Sequence, residues 1–244
     1  MTSNTQPMHP TFHRLLAAAL AGGLLLACAN SSPAQSTVML RHPSHAYWAT
    51  RAPDTVTAEV ETSRGGFTLE LVRKWAPSGV DRFYNLARAG YYNDSRFYRV
   101  ILGFIAQFGL AGDPSIARAW SRQRLRAEPV REHNTRGTLA FAQSNPADRT
   151  TNVFVNLRDN PELDTLRFVP FGRVVRGMDV VDSLYAYYGE FPAAPAPLGN
   201  PMRLYGESNR YLDEKFPLLD RIVKITIRPG SVRDTSLAVR HRDH

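Results

Sequence analysis

Cysteine is nearly absent from this 244-residue chain, occurring only as Cys28. An internal disulfide is therefore excluded, and with it the small disulfide-stapled folds. A thiol nucleophile inside a folded core is excluded as well, because Cys28 closes an apolar run near the N-terminus. Lysine is scarce too, with only Lys74, Lys215 and Lys224, so the formal charge of +8 is carried by arginine. One unit of that charge is Arg14 in the first 27 residues, leaving +7 for the rest. The arginines are dispersed rather than blocked, and the most basic window, 118–136, holds Trp120 but no RNA-binding motif, so no nucleic-acid partner is expected. His42, His45, His133, His241 and His244 show no metal-ligand spacing, so no metal and no cofactor is expected. Ser144 lacks a nucleophile elbow. Asp159, Glu162 and Asp164 cluster on a turn-rich stretch and read as solvated loop charges. No internal repeat is visible, and the length suits one large domain or two small ones.

No apolar run reaches the about 20 residues that span a bilayer. The longest, Leu15 to Ala27, follows His13 and Arg14 and reads as an export signal over 1–29. It ends Leu25-Leu26-Ala27-Cys28, which resembles a lipobox, where cleavage precedes a cysteine that becomes lipidated. The expectation is an exported, lipid-anchored envelope protein attached through Cys28. The alternative is ordinary signal cleavage and a soluble periplasmic or secreted protein. Residues 30–55 read as a tether, small and polar at Asn30–Ser36, with Tyr47 and Trp48 undecided between tether and domain.

The main domain is expected over 56–228. Val56, Ala58 and Val60 alternate with polar residues, and alternation resumes at Phe67, Leu69 and Leu71 after Gly65-Gly66, which is a β-hairpin pattern. Pro77 opens a helix whose apolar face is Val80, Phe83, Tyr84 and Ala87, and Gly90 ends it. A second helical face is read at Val181, Leu184, Tyr185 and Tyr188, ended by Gly189. Residues 192–201 form a proline-rich loop. Val223, Ile225 and Ile227 alternate as a last strand able to close a barrel by pairing with the first hairpin. Residues 229–244 read as a polar, frayed tail.

Two stretches carry the chemistry, Arg96 to Gly109 and the pair Gly137–Ser144 with Thr151–Asn156. Arg99 interrupts an apolar strand-like run, and burying a guanidinium is costly unless its donors are used. Alternation places Phe97, Arg99 and Ile101 on one face, with Phe104 and Phe154 as an apolar floor. On this run alone, an Arg paired with an acid in a barrel wall and an Arg that acts on a ligand are both open.

The run Phe97-x-Arg99-x-x-x-Gly103-Phe104-x-x-Gln107-x-Gly109 resembles the signature of the cyclophilins, and the resemblance covers about residues 56–228. It implies a mainly β fold, a closed antiparallel eight-stranded barrel capped by two α-helices, and peptidyl-prolyl cis-trans isomerase activity on proline-containing polypeptides, in a monomer. It implies Arg99 as the catalytic donor. Phe104, Ile105, Phe154, Leu163 and Phe168 would line the proline pocket, and Gln107 and Gln143 would hydrogen-bond the peptide. Gln143 stands where the family usually has Asn, Asn152 replaces a Gln, Val153 a Phe and Ile105 a Met. Glu162 falls where many members carry Trp, and Phe168 where they carry His. These swaps bear on peptide register and affinity, and they keep open an alternative, a catalytically weak peptide-binding or chaperone module of the same fold.

Overall fold

The structure is a computed structural model that describes Met1 and residues 38–229. The expected signal over 1–29, Cys28 and the tail beyond 229 lie outside the described residues. Eight strands form one antiparallel sheet: β1 (Thr55–Thr62), β2 (Gly65–Val72), β3 (Arg99–Ile101), β4 (Ile105–Phe108), β5 (Thr138–Phe141), β6 (Val153–Asn156), β7 (Pro170–Arg176) and β8 (Ile222–Pro229). Their order is β3-β4-β6-β5-β7-β2-β1-β8. The sheet is strongly curled, and its two ends approach at a single bridge, Arg96 with Arg221. There the Phe97 amide donates to the Asp220 carbonyl at 2.8 Å and the Ile222 amide to the Ser95 carbonyl at 2.9 Å.

The hairpin β1–β2 forms where the alternation placed it, with Thr62 opposite Gly65. Gly65 supplies the turn at φ +139°, a conformation that side-chain-bearing residues rarely adopt. Val56, Ala58, Val60, Phe67, Leu69 and Leu71 all point inward and are buried. The last strand pairs with the first, Val60 opposite Ile225.

The expected pair of capping helices is part of a larger set: α1 (Pro77–Arg88), α2 (Pro114–Trp120), α3 (Pro161–Thr165), α4 (Met178–Asp182), α5 (Pro201–Glu207) and α6 (Asn209–Lys215). Helix α1 buries Val80, Phe83, Leu86 and Ala87. Its N-terminal amides have no local side-chain cap. Instead Glu128 accepts from the Ser78 and Gly79 amides at 2.7 and 3.3 Å, satisfying donors that a helix start leaves open. Inside the curl, Phe83 stacks on Tyr92, Phe171 lies between Phe83 and Phe141, and Phe97 meets Phe108 edge-on.

Three expectations are corrected. The helix read through Tyr188 stops at Asp182, and the Tyr185 amide instead donates to the Asp220 carboxylate at 2.8 Å. Residues 38–55, read as the end of a tether with the docking of Tyr47 and Trp48 left open, pack on the domain. Leu40 and Ala52 are buried, Trp48 meets Trp120 edge-on, and the Trp120 indole donates to the Leu40 carbonyl. Phe97 and Arg99 do not share a face, because regular strand begins only at Arg99. Phe97 therefore enters the main core while Arg99 faces outward with Gln107, its cross-strand partner.

A second, smaller core lies outside the sheet. Tyr98 and Leu110 pack there against Leu204, Tyr211, Leu212 and Phe216 of the α5–α6 segment. Arg96 anchors α6: it bonds Asp213 at 2.8 Å and Asp94 at 2.6 Å while remaining buried. The two arginines of the motif thus differ in kind, Arg96 being a structural clamp and Arg99 a groove residue.

Candidate active site

Strands β3, β4, β5 and β6 with helix α3 form the near half of a groove. Arg99, Phe104, Ile105, Gln107, Gln143, Asn152, Phe154, Leu163 and Phe168 all line it. Ile105, Ala140, Phe154 and Leu163 make a small apolar cluster, against which Phe104, Ala142 and Phe168 pack. Phe154 and Phe168 meet edge-on with centroids 5.5 Å apart. The Arg99 guanidinium carbon lies 5.8 Å from the Phe104 ring centroid. A cation at the rim of an apolar recess is the local arrangement.

Arg99 is held lightly. Its Nη1 reaches Gln107 Oε1 at 3.4 Å, a long bond, and its Nη2 reaches Glu190 Oε1 at 2.5 Å. The Glu190 side chain is 60% exposed, so this ion pair sits at the surface and not inside a barrel wall. Gln107 is fixed from behind: its Nε2 donates to the Tyr98 hydroxyl at 2.6 Å. Burial pushes the Tyr98 phenol well above its ordinary range, so it stays neutral.

Gln143 is committed within the protein. Its side-chain amide Nε2 donates to the Leu166 and Arg167 carbonyls at 3.1 Å each, bracing the loop that carries Phe168. The Gln143 Oε1 and Asn152 Oδ1 oxygens are buried and have no hydrogen-bond partner among the described residues.

A buried amide network positions the recess. Asn156 donates to Thr138 Oγ1 at 2.9 Å and to Asn134 Oδ1 at 3.2 Å. Asn160 donates to Asn156 at 2.7 Å and to the Phe104 carbonyl at 3.1 Å. Asn134 donates to Asp164 at 2.8 Å and to the Phe168 carbonyl at 3.0 Å. Phe104 and Phe168, which both pack against the cluster, are thus tied to one framework. Asp164, read from the sequence as a solvated charge, is a member of it. Burial works to raise the Asp164 pKa, but hydrogen bonds from Asn134 and His133 outweigh it and hold the carboxyl below its usual range. The hydrogen bond to Asp164 raises the pKa of exposed His133. Asp159, from the same cluster, accepts from the Arg136 amide at 2.8 Å. Glu162 points away from the recess to Arg158, 2.9 Å distant.

Glu190, Tyr98, Asn134, Asn156 and Asn160 are the residues that sequence reasoning missed. Tyr98 sits at an unspecified position of the motif, and Asn160 precedes a proline, a turn signal that says nothing of the site.

Fold and groove together define a curled-sheet protein with a guanidinium beside an apolar recess. The family model described as cyclophilin type peptidyl-prolyl cis-trans isomerase/CLD matches residues 57–197, and the chain belongs to this family. A peptidyl-prolyl cis-trans isomerase of Acinetobacter baylyi is 34% identical over 137 residues, covering 52% of this chain and 70% of that protein. Peptidyl-prolyl cis-trans isomerase B of Escherichia coli is 34% identical over 137 residues, 50% of this chain and 80% of that protein. A crystal structure of a Cryptosporidium parvum cyclophilin type isomerase matches with a TM-score of 0.52 at 19% identity, covering 72% of this chain and 99% of that one, a likeness of fold. The activity is peptidyl-prolyl cis-trans isomerisation.

Proposed function

We propose that Arg99 is the catalytic donor of this isomerase and that the recess of Phe104, Ile105, Phe154, Leu163 and Phe168 holds the proline ring of a polypeptide. An X-Pro bond rotates against a barrier of about 18–20 kcal/mol because twisting it breaks amide resonance. The twisted state leaves a lone pair on the prolyl nitrogen. A donor aimed there favours that state over either planar isomer, which is the condition for acceleration. No covalent intermediate is required. The observation that carries the reading is the guanidinium of Arg99 at the edge of the Phe104–Phe154 cluster. Turnover on a short Ala-Pro peptide tests it; binding without acceleration would leave a peptide-binding module instead. That second reading is favoured by one observation, the Glu190 carboxylate already on Arg99.

The curled sheet is read as a closed barrel whose seam is the Arg96–Arg221 bridge. The clients are proposed to be exported proteins. The apolar run ending at Cys28 supports export and a lipid anchor in the cell envelope, with a soluble periplasmic or secreted form as the alternative. A monomer is proposed.

A further inference from the structure

The groove continues past the proline recess. Its volume is about 790 Å³, and it runs by Asn152 to Leu110, Ala117, Arg118, Ser121, Arg124 and Thr150. Cavities of about 300–1,000 Å³ accept a drug-sized ligand, so this one has room for several residues beside the proline.

The far end carries an unbalanced positive charge. Arg118 and Arg124 line it and are exposed. Arg118 uses one donor, to the Gly206 carbonyl at 2.9 Å, which spans the gap between α2 and α5. Neither arginine meets a carboxylate among the described residues. The one carboxylate in the lining, Asp148, has both oxygens engaged in its own loop. They accept from the Ser144 amide and from the Asn145 amide nitrogen, each at 3.0 Å. At the near end Arg99 is already matched by Glu190. The surplus therefore belongs to the α2 side, where two planar forks present donors in the geometry that a carboxylate accepts.

We propose that this end of the groove is a subsite for an acidic side chain lying within a few residues of the proline, so that acidic proline-containing segments are the preferred substrates. The inference rests on the reading of the groove as the substrate site. It makes Arg118 and Arg124 specificity-determining residues.

The test uses the isolated protein and a peptide series with one central proline. Glu, Gln or Lys is placed in turn at each of the three positions on either side. Binding by fluorescence anisotropy and isomerase turnover are both measured, at low and at high salt. At the best position, Glu is expected to exceed Gln by about three- to fivefold and Lys by more, the range of a partly exposed ion pair. The preference should collapse at high salt. In the Arg118→Gln/Arg124→Gln double variant the Glu-to-Lys ratio should fall to near one. If that variant does not fold, the salt-dependent series on the wild type decides. Equal binding of Glu and Lys peptides at every position overturns the subsite. A preference that survives in the folded double variant overturns its assignment to these arginines. A Glu preference in binding with no turnover of any peptide supports the subsite and contradicts the isomerase reading instead.

Discussion

Replacing Asn134 with alanine should loosen the proline recess without touching Arg99. Asn134 is 1% exposed, and its side chain makes three hydrogen bonds: to Asp164, to the Phe168 carbonyl, and from Asn156. Each such bond contributes about 0.5–1.5 kcal/mol net, so losing all three costs about 3 kcal/mol. For a domain of this size that corresponds to a Tm lower by roughly 6–12 °C. Asp164 keeps its bonds from the Asn134 backbone amide and from His133, so α3 stays attached. Phe168 loses its only side-chain tether to the framework and drifts from Phe154. The kinetic signature is a several-fold rise in KM with a much smaller change in kcat, because ring binding is weakened while the donor stands unchanged. Thermal unfolding and steady-state turnover on one preparation measure both. A Tm within 2 °C of wild type, or a fall in kcat at constant KM, would refute the idea that this network holds the recess.

Glu190→Ala should raise kcat/KM by up to about fivefold at low salt, since an exposed pair contributes about 0–1 kcal/mol and its loss frees a donor of Arg99; a fall would mean that Glu190 helps rather than competes. The His133–Asp164 contact should make stability pH-dependent in two windows. The raised pKa of His133 means that its contribution is complete below about pH 6.5 and is lost as pH rises through the folded value, a step that His133→Ala should abolish. The depressed pKa of Asp164 gives the opposite sign, stability present above about pH 3.9 and lost as pH falls further; melting curves from pH 3 to 8 report both, and identical wild-type and His133→Ala profiles would contradict the first. Labelling cells with a fatty-acid analogue should mark the wild type and not Cys28→Ala, and no label on either would leave a soluble exported protein.

What the sequence disclosed followed from local spacing. Arg99, Gly103, Phe104 and Gln107 lie on one hairpin, so their offsets fix their geometry, and the β1–β2 alternation and α1 periodicity are likewise local. Phe154 and Phe168 were placed only because a family pattern carried them. The contacts that escaped join distant segments. Glu190 reaches Arg99 across 91 positions, and Trp120 reaches Leu40 across 80. Nothing in the composition of a proline-rich loop marks one of its flanking glutamates as a partner for a groove arginine. The Asn134–Asn156–Asn160 set was invisible because buried amides look like loop residues until the backbone brings them together. The misplaced face of Phe97 had a simpler cause: alternation holds only within regular strand, and β3 begins two residues later than the apolar run.

The most direct test of the catalytic claim is Arg99→Ala, with thermal unfolding and isomerase turnover measured on the same protein. Arg99 has a surface carboxylate on one side and a long 3.4 Å bond to Gln107 on the other, so its removal should cost no more than about 1 kcal/mol of stability. Turnover should fall by about 10²–10³-fold, the loss seen when a transition-state donor is removed. A folded variant with near wild-type turnover would contradict the assignment of Arg99 as the catalytic residue.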